Sequence, residues 1–513
     1  MNSSQTKHTR IAWAVAGSDS GGGAGLQADL RAFNLFGVHA CTVVAAITAQ
    51  NSVAVQHAEP VSVDLFAAQL AALSTDMPPA VIKTGMLGSA ANLHELVRCI
   101  DQLREPQPNL PVVVDPVLRA STGADFADES LLLAYRTALL PRTTLITPNR
   151  REAAVLLGCA AFDSRAAVAE AAHALLKLGC RAAVITGGDE AGEMSEDYVA
   201  SKHASGWLRL PRVATEHNHG TGCVFASSTA AALALGFVDI EAIILAKMAT
   251  THALHHGYAV GQGAGPVRPR PGFARRPDNL PLFSLSGRDI GQTFPSLINP
   301  QLGLYAVVNS ADWVQRVLDG GVRTVQLRIK DVAHPGLRDE VRASIRAARA
   351  VNAQLFINDY WQIAIDEGAY GVHLGQEDLA IADLAAIARA GLRLGISSHA
   401  FWEVCRAWRL RPSYVACGPI HLTQAKAMPW LPQGNDNLAY WCQLLPLPVV
   451  AIGGMDEARA AEAMRRGASG VAVISAITAA ACPETAMASL QRAVREGGTA
   501  QRRDAPPLPR PTL

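Results

Sequence analysis

Eight short apolar runs alternate with helix-like segments between residues 303 and 475, and this alternation constrains the fold more than any other feature of the chain. Strands that alternate with helices pair in parallel, and eight such units close into a (β/α)8 TIM barrel of roughly 200 residues. The expected strands are residues 303–308, 324–329, 354–358, 371–375, 392–397, 414–418, 448–453 and 470–475. The second half of the chain is therefore predicted to be a barrel.

A second, less regular alternation precedes the barrel. Its apolar runs are residues 13–16, 41–48, 81–85, 112–115, 145–147 and 182–186. Strands separated by helices form a mostly parallel sheet with helices on both faces, an αβα sandwich. Ligands of such sheets bind beyond the carboxyl ends of the strands, where the glycine-rich and polar residues of this half occur.

Prolines separate the two halves. Between residues 266 and 300 they are dense, arginines intervene and no apolar periodicity persists, which predicts a linker. We therefore expect a first domain over 11–268, a Pro/Arg-rich linker over 269–300 and a barrel domain over 301–496. Residues 1–10 and 497–513 are expected to be disordered.

The balance of basic and acidic residues restricts the kinds of molecule that the protein is expected to bind. The chain has 45 basic and 44 acidic residues and a formal net charge of +1, which gives no electrostatic reason to expect nucleic acid or a membrane. Small-molecule substrates are expected instead, and a homo-oligomer is compatible with the sequence. Nine cysteines without CxxC spacing predict reduced thiols in the cytoplasm. The apolar stretch 223–238 is short and contains hydroxyl residues, which favours a buried helix over a membrane span.

One motif of the first half combines glycines with a thiol. Gly220-Thr221-Gly222-Cys223 opens the long apolar helix, where exposed backbone amides bind phosphate. A thiol at a helix N-terminus is expected to have a lowered pKa, so Cys223 could accept a proton from an attacking hydroxyl. Taken alone, the motif is better explained as a glycine-rich turn before a buried cysteine.

Polar residues end the barrel strands. Gln326, Arg328 and Lys330 alternate along the second strand and are predicted to face one side. Further polar or glycine positions at or near strand ends are Asn358, Asp359, Asp378, Ser397, Thr423, Lys426, Gly453, Gly454 and Ser475. Cations beside two separated carboxylates suit a diphosphate bound with Mg²⁺. A layer of internal ion pairs would explain the charges less well, because they recur at so many strand ends.

Several motifs of the first half, in order, resemble the hydroxymethylpyrimidine and phosphomethylpyrimidine kinases of the ribokinase-like superfamily. The matching text is residues 16–29 (AGSDSGGGAGLQAD), 48–51 (TAQN), 83–87 (KTGML), 115–117 (DPV), 147–149 (TPN) with Glu152, and 219–223 (HGTGC). The resemblance covers residues 11 to about 268. It implies ATP-dependent phosphorylation of 4-amino-5-hydroxymethyl-2-methylpyrimidine and of its monophosphate.

The kinase resemblance also implies roles for individual residues. The pyrimidine pocket would contain Gly17, Asp29, Gln50 and Met86. ATP would contact Thr186, Gly187, Gly188 and Thr221, and Mg²⁺ would be held by Asp115 and Glu152. Cys223 would be the base, with the amides of Gly220 and Gly222 stabilising the transferring phosphoryl group. This chain has Thr186 where the family usually has lysine, so phosphorylation is expected to be slow or to use another cation.

The second half resembles thiamine phosphate synthase over residues 303 to about 495. The matching text is residues 326–330 (QLRIK), 358–359 (ND), 373–378 (HLGQED), 395–397 (GIS), 418–420 (GPI), 452–454 (IGG) and 473–477 (VISAI). The resemblance implies that the diphosphate leaves the pyrimidine as pyrophosphate and that the nitrogen of thiazole phosphate captures the resulting cation. Thiamine phosphate would be the product.

The synthase resemblance assigns residues to the two substrates. Asp359 and Asp378 would bind Mg²⁺, and Lys426 would stabilise the leaving charge. The pyrimidine diphosphate would contact Gln326, Arg328, Lys330, Asn358, Ser397 and Lys426. The thiazole phosphate would lie near Thr423, Gly453, Val473 and Ser475. Ala425 and Leu422 depart from the usual Pro-Thr-x-Thr-Lys loop, so weaker phosphate contacts are expected there.

Three alternatives stay open from sequence. In the first alternative, the first half is a pyridoxal kinase. In the second, it is a degenerate kinase domain that is retained as a ligand-binding module, because Thr186 replaces the usual lysine. The second half would be a thiazole tautomerase related to the synthase. Asp359, Asp378 and Lys426 argue against the tautomerase, because that reaction needs no metal to hold a diphosphate.

Overall fold

The computed structural model describes residues 9–118, 127–287, 291, 293–331, 333–422 and 430–513. The chain forms two compact units, Met1–Gly287 and Arg288–Leu513. Among the helices in these ranges, none combines the length and the apolar character that a bilayer crossing requires.

The first unit is built on one ten-stranded sheet. Its strands are β1 Ile11–Asp19, β2 His39–Gln50, β3 Val55–Pro60, β4 Val81–Thr84, β5 Val112–Val114, β6 Leu145–Ile146, β7 Ala182–Ile185, β8 Met194–Ala200, β9 Gly206–Pro211 and β10 Leu282–Ser284. The order is β10-β9-β8-β7-β6-β5-β4-β1-β2-β3. The six strands from β7 to β2 are parallel and correspond to the six predicted runs, whereas β3, β8, β9 and β10 pair antiparallel at the two edges.

Helices cover the sheet of the first unit. They are α1 Gly25–Leu35, α2 Val63–Asp76, α3 Ala90–Arg104, α4 Glu129–Ala134, α5 Arg150–Leu157, α6 Arg165–Lys177, α7 Thr221–Ala234 and α8 Asp239–Leu254. Trp13 and Val15 of β1 pack in the main apolar core with residues of α2 to α6. A separate cluster joins Ala28 of α1, Val224 of α7 and Ala253 of α8. The predicted αβα sandwich and the buried helix at residue 223 are confirmed.

Most of the predicted linker, residues 269–300, contains turns, a strand and buried side chains. Residues 273–275 and 277–279 form 3₁₀ turns, and β10 adds to the edge of the sheet beside β9. Phe273 and Phe283 are buried in the first unit, and Phe294 and Leu297 are buried in the second. The prolines suggested an open chain, but aromatic residues between them bury apolar surface, and an edge strand tolerates a neighbouring proline.

The second unit is a closed barrel of eight parallel strands. They are β11 Gly303–Val308, β12 Thr324–Leu327, β13 Gln354–Asn358, β14 Gly371–Leu374, β15 Arg393–Ser398, β16 Tyr414–Cys417, β17 Val449–Ile452 and β18 Gly470–Val473. β18 pairs with β11 and closes the ring. Tyr305, Phe356 and Tyr414 pack together in one buried cluster. The predicted barrel is confirmed, and each strand boundary agrees within about two residues.

Helices and turns connect the barrel strands. The helices are α9 Ala311–Asp319, α10 Leu337–Ala350, α11 Trp361–Asp366, α12 Leu384–Arg389, α13 Phe401–Leu410, α14 Gly434–Leu444, α15 Glu457–Arg465, α16 Ser475–Thr478 and α17 Pro483–Thr499.

Residues 497–513, predicted to be disordered, include the end of a helix and buried side chains. Helix α17 continues to Thr499, and Ala505 and Thr512 are buried. The backbone of Leu431 donates a hydrogen bond to the carbonyl of Thr512 at 3.1 Å. The many prolines of this tail fix an extended chain that gains side-chain and backbone contacts with the barrel. Of the predicted N-terminal segment 1–10, residues 1–8 lie outside the described residues.

Candidate active sites

In the first unit, the glycine-rich turn after β1 is organised by Asp19. Its carboxylate accepts hydrogen bonds from the amides of Gly21, Gly23 and Ala24 at 2.8, 2.9 and 2.8 Å. Burial opposes ionisation, but the hydrogen bond with His219 and these amides lower the pKa of Asp19. His219 lies directly before the Gly220 motif, and its Nε2 lies 3.3 Å from Asp19 Oδ2, so this contact ties the motif to the turn.

Three predicted pocket residues lie around this turn. A Cβ on Gly17 would come within 2.5 Å of the Met86 methyl group, so the two residues are direct neighbours. The side chain of Gln50 lies 3.4 Å from His219 Nε2. The structure therefore brings Gly17 and Met86 together, with Gln50 beside the residue that precedes the glycine motif.

A buried lysine that the sequence did not single out lies next to these residues. Lys83 of β4 has no exposed surface and donates a hydrogen bond to Asp29 Oδ1 at 2.8 Å. Its ammonium group lies 3.7 Å from Asp115 Oδ2. Burial alone would lower the pKa of Lys83, but the neighbouring Asp29, Cys223 and Asp115 raise it above its ordinary value.

Asp29, predicted to contact the pyrimidine, is itself fully buried. Its Oδ1 accepts from Lys83 and from Ser227 Oγ at 2.7 Å. Its Oδ2 has no hydrogen-bond partner among the residues that the structure describes. One acceptor thus remains for a substrate donor, although the carboxylate has no exposed surface.

The two predicted metal ligands of this unit influence each other. Burial, and then the negative charge of Asp115, raise the pKa of Glu152. Burial also raises the pKa of Asp115, which Lys83 partly opposes. Glu152 caps α5 by accepting from the Asn149 amide at 2.9 Å, and Asp115 Oδ2 has no hydrogen-bond partner within the described ranges. A cation near both carboxylates would satisfy that oxygen and relieve the repulsion.

Helix α7 begins at Thr221, after Gly220 in the left-handed conformation at φ +82°. A Cβ on Gly220 would lie 2.1 Å from the Gly23 carbonyl oxygen, so only glycine fits. The Cβ position of Gly222 faces open space. The N-terminus of this 14-residue helix can therefore approach an anion closely.

The expected low pKa of Cys223 is wrong. Burial raises the pKa of this thiol to about 12; Lys83 opposes the change, whereas Asp115 and Asp29 add to it. The favourable effect of a helix N-terminus is small compared with the cost of burying a thiolate beside two carboxylates. Cys223 is therefore a protonated thiol at neutral pH.

Around Thr186 the structure supplies two other cations. Arg212 donates to the Gly188 carbonyl at 2.5 Å and to the Gly187 carbonyl at 3.4 Å. Lys247 of α8 is buried and pairs at 2.8 Å with Asp197, whose other oxygen accepts from the Gly187 amide at 3.0 Å. The Thr186–Gly188 turn is thus held between Arg212 and an ion pair that the sequence did not reveal.

In the second unit, hydrogen bonds connect three predicted residues at neighbouring strand ends. Gln326 Nε2 donates to Asn358 Oδ1 at 2.6 Å, and Asn358 Nδ2 donates to the Asp359 carboxylate. Strand β12 ends at Leu327, so Arg328 and Lys330 follow the strand rather than alternating along it. Only Gln326 of these three belongs to the strand itself.

The two predicted magnesium ligands of the barrel lie together. Burial, and then the charge and hydrogen bond of Asp378, raise the pKa of Asp359, whereas Arg328 opposes the rise. Asp378 also accepts from the Gly375 amide at 3.1 Å, which fixes its turn. No group of three or more His, Cys, Asp or Glu that could hold a metal occurs in the described part of the chain, so both candidate sites rely on pairs of carboxylates.

Ser397 is held by a buried histidine. Its hydroxyl lies 2.8 Å from His373 Nε2, while His373 Nδ1 lies 2.7 Å from the Tyr414 hydroxyl. Burial, and then the nearby positive charge of Arg328 and His399, lower the pKa of His373 to about 3. A neutral imidazole therefore orients the predicted contact residue.

The last two strands end in the predicted phosphate region. Gly453 follows β17 at φ +99°, and a Cβ there would lie 2.7 Å from Pro419. Val473 is buried at the end of β18, and Ser475 is exposed at the start of α16. Thr423 and Lys426 lie outside the described residues.

A cavity of about 1020 Å³ opens at the opposite end of the barrel, beside the amino ends of β11 to β14. Its lining includes Arg323, Arg349 and Arg495 but no carboxylate. Barrel enzymes react at the carboxyl ends of their strands, so this cavity is not the candidate active site.

Both units place paired carboxylates, glycine turns and cations at the carboxyl ends of parallel strands. These features define a two-domain α/β enzyme acting on phosphorylated small molecules. Residues 19–268 match the family model of phosphomethylpyrimidine kinase, and residues 304–477 match that of thiamine monophosphate synthase.

Relatives join both halves in one chain. The chain is 34% identical over 479 residues to the probable thiamine biosynthetic bifunctional enzyme, chloroplastic, of Oryza sativa, covering 90% of this chain and 85% of the relative. It is 34% identical over 498 residues to the corresponding bifunctional enzyme of Arabidopsis thaliana, covering 94% and 92%. The thiamine-phosphate synthase of Serratia proteamaculans is 52% identical over 193 residues, which cover 37% of this chain and 91% of that protein. The chain belongs to the family of bifunctional thiamine biosynthetic enzymes, with a pyrimidine kinase domain and a thiamine phosphate synthase domain.

Proposed function

We propose that the first unit phosphorylates the hydroxyl of 4-amino-5-hydroxymethyl-2-methylpyrimidine and then the resulting monophosphate. The second unit then joins the pyrimidine diphosphate to thiazole phosphate. The observation that carries this proposal is the occurrence, in both units, of two mutually repelling carboxylates beside a cation at the strand ends. The predicted cytoplasmic location stays a prediction, because both full-length plant relatives are named chloroplastic.

In the kinase unit, Gly17, Gln50 and Met86 would surround the pyrimidine, with the free oxygen of Asp29 as a possible acceptor for its amino group. The substrate oxygen forms a bond to the terminal phosphorus of ATP as the bond to ADP breaks, and the hydroxyl proton is released to solvent. Thr186, Gly187, Gly188 and Thr221 would contact ATP. The amides at Gly220 and Gly222 would stabilise charge on the transferring group, which is the larger part of catalysis in phosphoryl transfer.

In the synthase unit, the bond between the pyrimidine methylene carbon and the diphosphate oxygen breaks, and its electron pair leaves with pyrophosphate. The thiazole nitrogen then donates its electron pair to that carbon. Gln326 and Asn358 would orient the pyrimidine, and Ser397, held by His373, would contact it. Arg328, Lys330 and Lys426 would neutralise the leaving group. Gly453, Val473, Ser475 and Thr423 would lie near the thiazole phosphate.

Both carboxylate pairs fit Mg²⁺, which prefers oxygen ligands and binds together with substrate phosphates. Asp115 and Glu152 would hold it in the kinase unit, and Asp359 and Asp378 in the synthase unit. When bound, the ion would neutralise phosphate charge. Burial, and then the neighbouring carboxylate, raise the pKa of Glu152 and of Asp359, and a bound cation would favour the charged form of each pair.

The whole proposal predicts that the purified chain forms thiamine phosphate from the hydroxymethylpyrimidine, ATP, Mg²⁺ and thiazole phosphate. Liquid chromatography of the products would measure it, and pyridoxal would serve as the competing kinase substrate. Product formation from supplied pyrimidine diphosphate alone would place a defect in the kinase unit. Faster phosphorylation of pyridoxal than of the pyrimidine would contradict the assigned kinase substrate.

Cys223 allows a sharper test of the kinase unit. Because its thiol is protonated at neutral pH, we expect Cys223→Ser, which keeps a small hydrogen-bonding group, to lose about 10-fold or less in kinase kcat/KM. Cys223→Ala, which removes that hydrogen-bonding group, should lose about 100-fold, within the range for losing one donor to a transition state. Equal losses of 100-fold or more in both variants would mean that a thiolate is required. Synthase activity of the same preparations is the control.

A further inference from the structure

The cavity beside the amino ends of β11 to β14, called here the arginine cavity, lies at the end of the barrel away from the candidate active site. Its volume of about 1020 Å³ is at the upper limit of small-molecule sites, which enclose about 300–1,000 Å³. Three arginines from three different elements line it: Arg323 before β12, Arg349 in the last turn of α10, and Arg495 in α17. The cavity therefore concentrates positive charge in a chain whose formal net charge is only +1.

Two of the arginines are anchored by backbone carbonyls. Arg323 Nη1 donates to the Leu318 carbonyl in α9 at 3.0 Å, and Arg349 Nη2 donates to the Gly368 carbonyl at 2.5 Å. Such bonds stabilise helix ends, but a guanidinium has five N–H donors, and each of these arginines uses one nitrogen atom in this way. Arg495 makes no hydrogen bond or ion pair with the residues that the structure describes. Donors of all three side chains thus remain for a ligand.

The carboxylates next to the cavity do not balance this charge. Glu367, directly after α11, pairs with Arg338 at 2.8 Å. Asp319, the last residue of α9, accepts from the Gln315 side chain at 2.8 Å. Glu496 follows in α17 but is not part of the cavity wall, which contains no carboxylate within the described ranges. Three like charges around one cavity repel one another, and a bound anion would offset that repulsion.

The rest of the wall is held in place by the protein itself. Gln354 is buried, and its Oε1 accepts from the Tyr370 hydroxyl at 2.6 Å and from the Asn299 amide at 3.1 Å. Its Nε2 donates to the Asn299 carbonyl at 3.1 Å. The buried apolar side chains of Leu302 and Leu355 also line the cavity. A preformed wall with apolar parts suits a ligand that carries a ring or chain besides its anionic group.

We propose that the arginine cavity is a second anion site of the barrel and binds an organic diphosphate. Guanidinium groups bind phosphate oxygens through paired hydrogen bonds, and an organic diphosphate carries about three negative charges at neutral pH, which matches Arg323, Arg349 and Arg495. Nucleic acid fits less well, because the charge lies in a concave site of small-molecule size. Since no carboxylate of the described residues lines the cavity, binding there needs no Mg²⁺, unlike binding at either candidate active site.

Calorimetric titration of the full chain, in buffer freed of divalent ions, tests the proposal. The pyrimidine diphosphate and ADP are the two probes, and we expect at least one to bind at one site per chain; the tighter of them identifies the source of the ligand. Arg495→Gln should raise its Kd about 10-fold, the usual loss for one charged hydrogen bond, with an unchanged melting temperature. Arg492→Gln is the matched control, because Arg492 is exposed on the same helix but does not line the cavity.

Hydrogen exchange locates the bound probe. Residues 321–324 and 491–495 should exchange more slowly with the tighter probe, and Arg495→Gln should reverse this at the same probe concentration. No saturable binding up to about 1 mM of either probe would overturn the proposal. So would an unchanged Kd in both Arg495→Gln and Arg349→Gln, or protection confined to the carboxyl ends of the strands. Binding of duplex DNA or anionic vesicles without binding of either probe would also overturn it. The titration needs no turnover, so failure of the proposed function would leave this site intact.

Discussion

Replacing Asp378 with asparagine is expected to reduce kcat/KM for thiamine phosphate formation from supplied diphosphate by about 10³-fold. Asp378 and Asp359 lie within hydrogen-bonding reach, and burial, followed by the charge of Asp378, raises the pKa of Asp359. Two carboxylates so arranged suit a divalent ion, and the charge stabilisation such an ion supplies is several kcal/mol, or about 10³-fold in rate. Steady-state kinetics with varied Mg²⁺ would measure the loss, which excess Mg²⁺ should only partly restore.

A second substitution in the same chain serves as the control for Asp378→Asn. Asp366→Asn makes the same chemical change on the exposed end of α11, where Asp366 pairs with Arg338, and should keep full synthase activity. Kinase activity should be unchanged in both variants. Asp359→Asn should also lose synthase activity. In the absence of Mg²⁺, its melting temperature should be at least as high as that of the unsubstituted chain, because the substitution removes a like-charge contact. Near-normal synthase kinetics in Asp378→Asn would refute the assigned metal pair.

The sequence predicted the parallel strands because they are short apolar runs buried on both faces. The four antiparallel strands towards the two ends of the sheet, β3, β8, β9 and β10, were missed. Strand β3 (Val55–Pro60) is largely exposed, and the first half of β8 (Met194–Ala200) is mostly polar. β10 lies among prolines, which suggested a linker. The outermost strands, β3 and β10, have one partner each, and such strands can be short and polar, so periodicity alone does not identify them.

The sequence indicated which candidate residues lie near one another in space better than it indicated their electrostatics. Gln326, Asn358, Asp359 and Asp378 lie near one another because each stands at or just after the carboxyl end of a strand of a closed parallel barrel, which strand counting could predict. The pKa of Cys223 depends on burial beside Asp29 and Asp115, which are distant in sequence, so the local helix N-terminus gave the wrong sign. Likewise, the contacts of Arg510 and Thr512 with the barrel depend on a surface that no local sequence pattern describes.

A lysine inside an apolar strand was the one signal in the sequence that pointed to a buried ion cluster. Lys83 stands between Ile82 and Thr84, in a run that is buried throughout. A buried cation requires an opposite charge, and the structure supplies Asp29 from α1 and Asp115 after β5. The adjacent Ile82 packs in the main core, so Lys83 faces the other side of the sheet, towards Asp29 and Ser227.

Lys83→Met is accordingly expected to abolish most kinase activity and to destabilise the first unit. Removing one partner of a buried ion pair costs about 3–5 kcal/mol, because the remaining charge stays desolvated. Asp29 and Asp115 would be left without a cation, and protonation of either would disturb the pyrimidine pocket and the metal pair. We expect kinase kcat/KM to fall about 10³-fold, with synthase activity from supplied diphosphate unchanged.

The double variant Asp29→Asn with Lys83→Met separates stability from catalysis. It removes both charges of the 2.8 Å pair, so most of the lost unfolding free energy should return, while kinase activity should stay low. Hydrogen exchange of β4 would report stability within the first unit, and Lys202→Met, at an exposed lysine, is the matched control. If Lys83→Met kept both its kinase activity and the exchange protection of β4, the buried cluster would be neither structural nor functional. If the double variant regained kinase activity along with stability, Lys83 would act through folding alone.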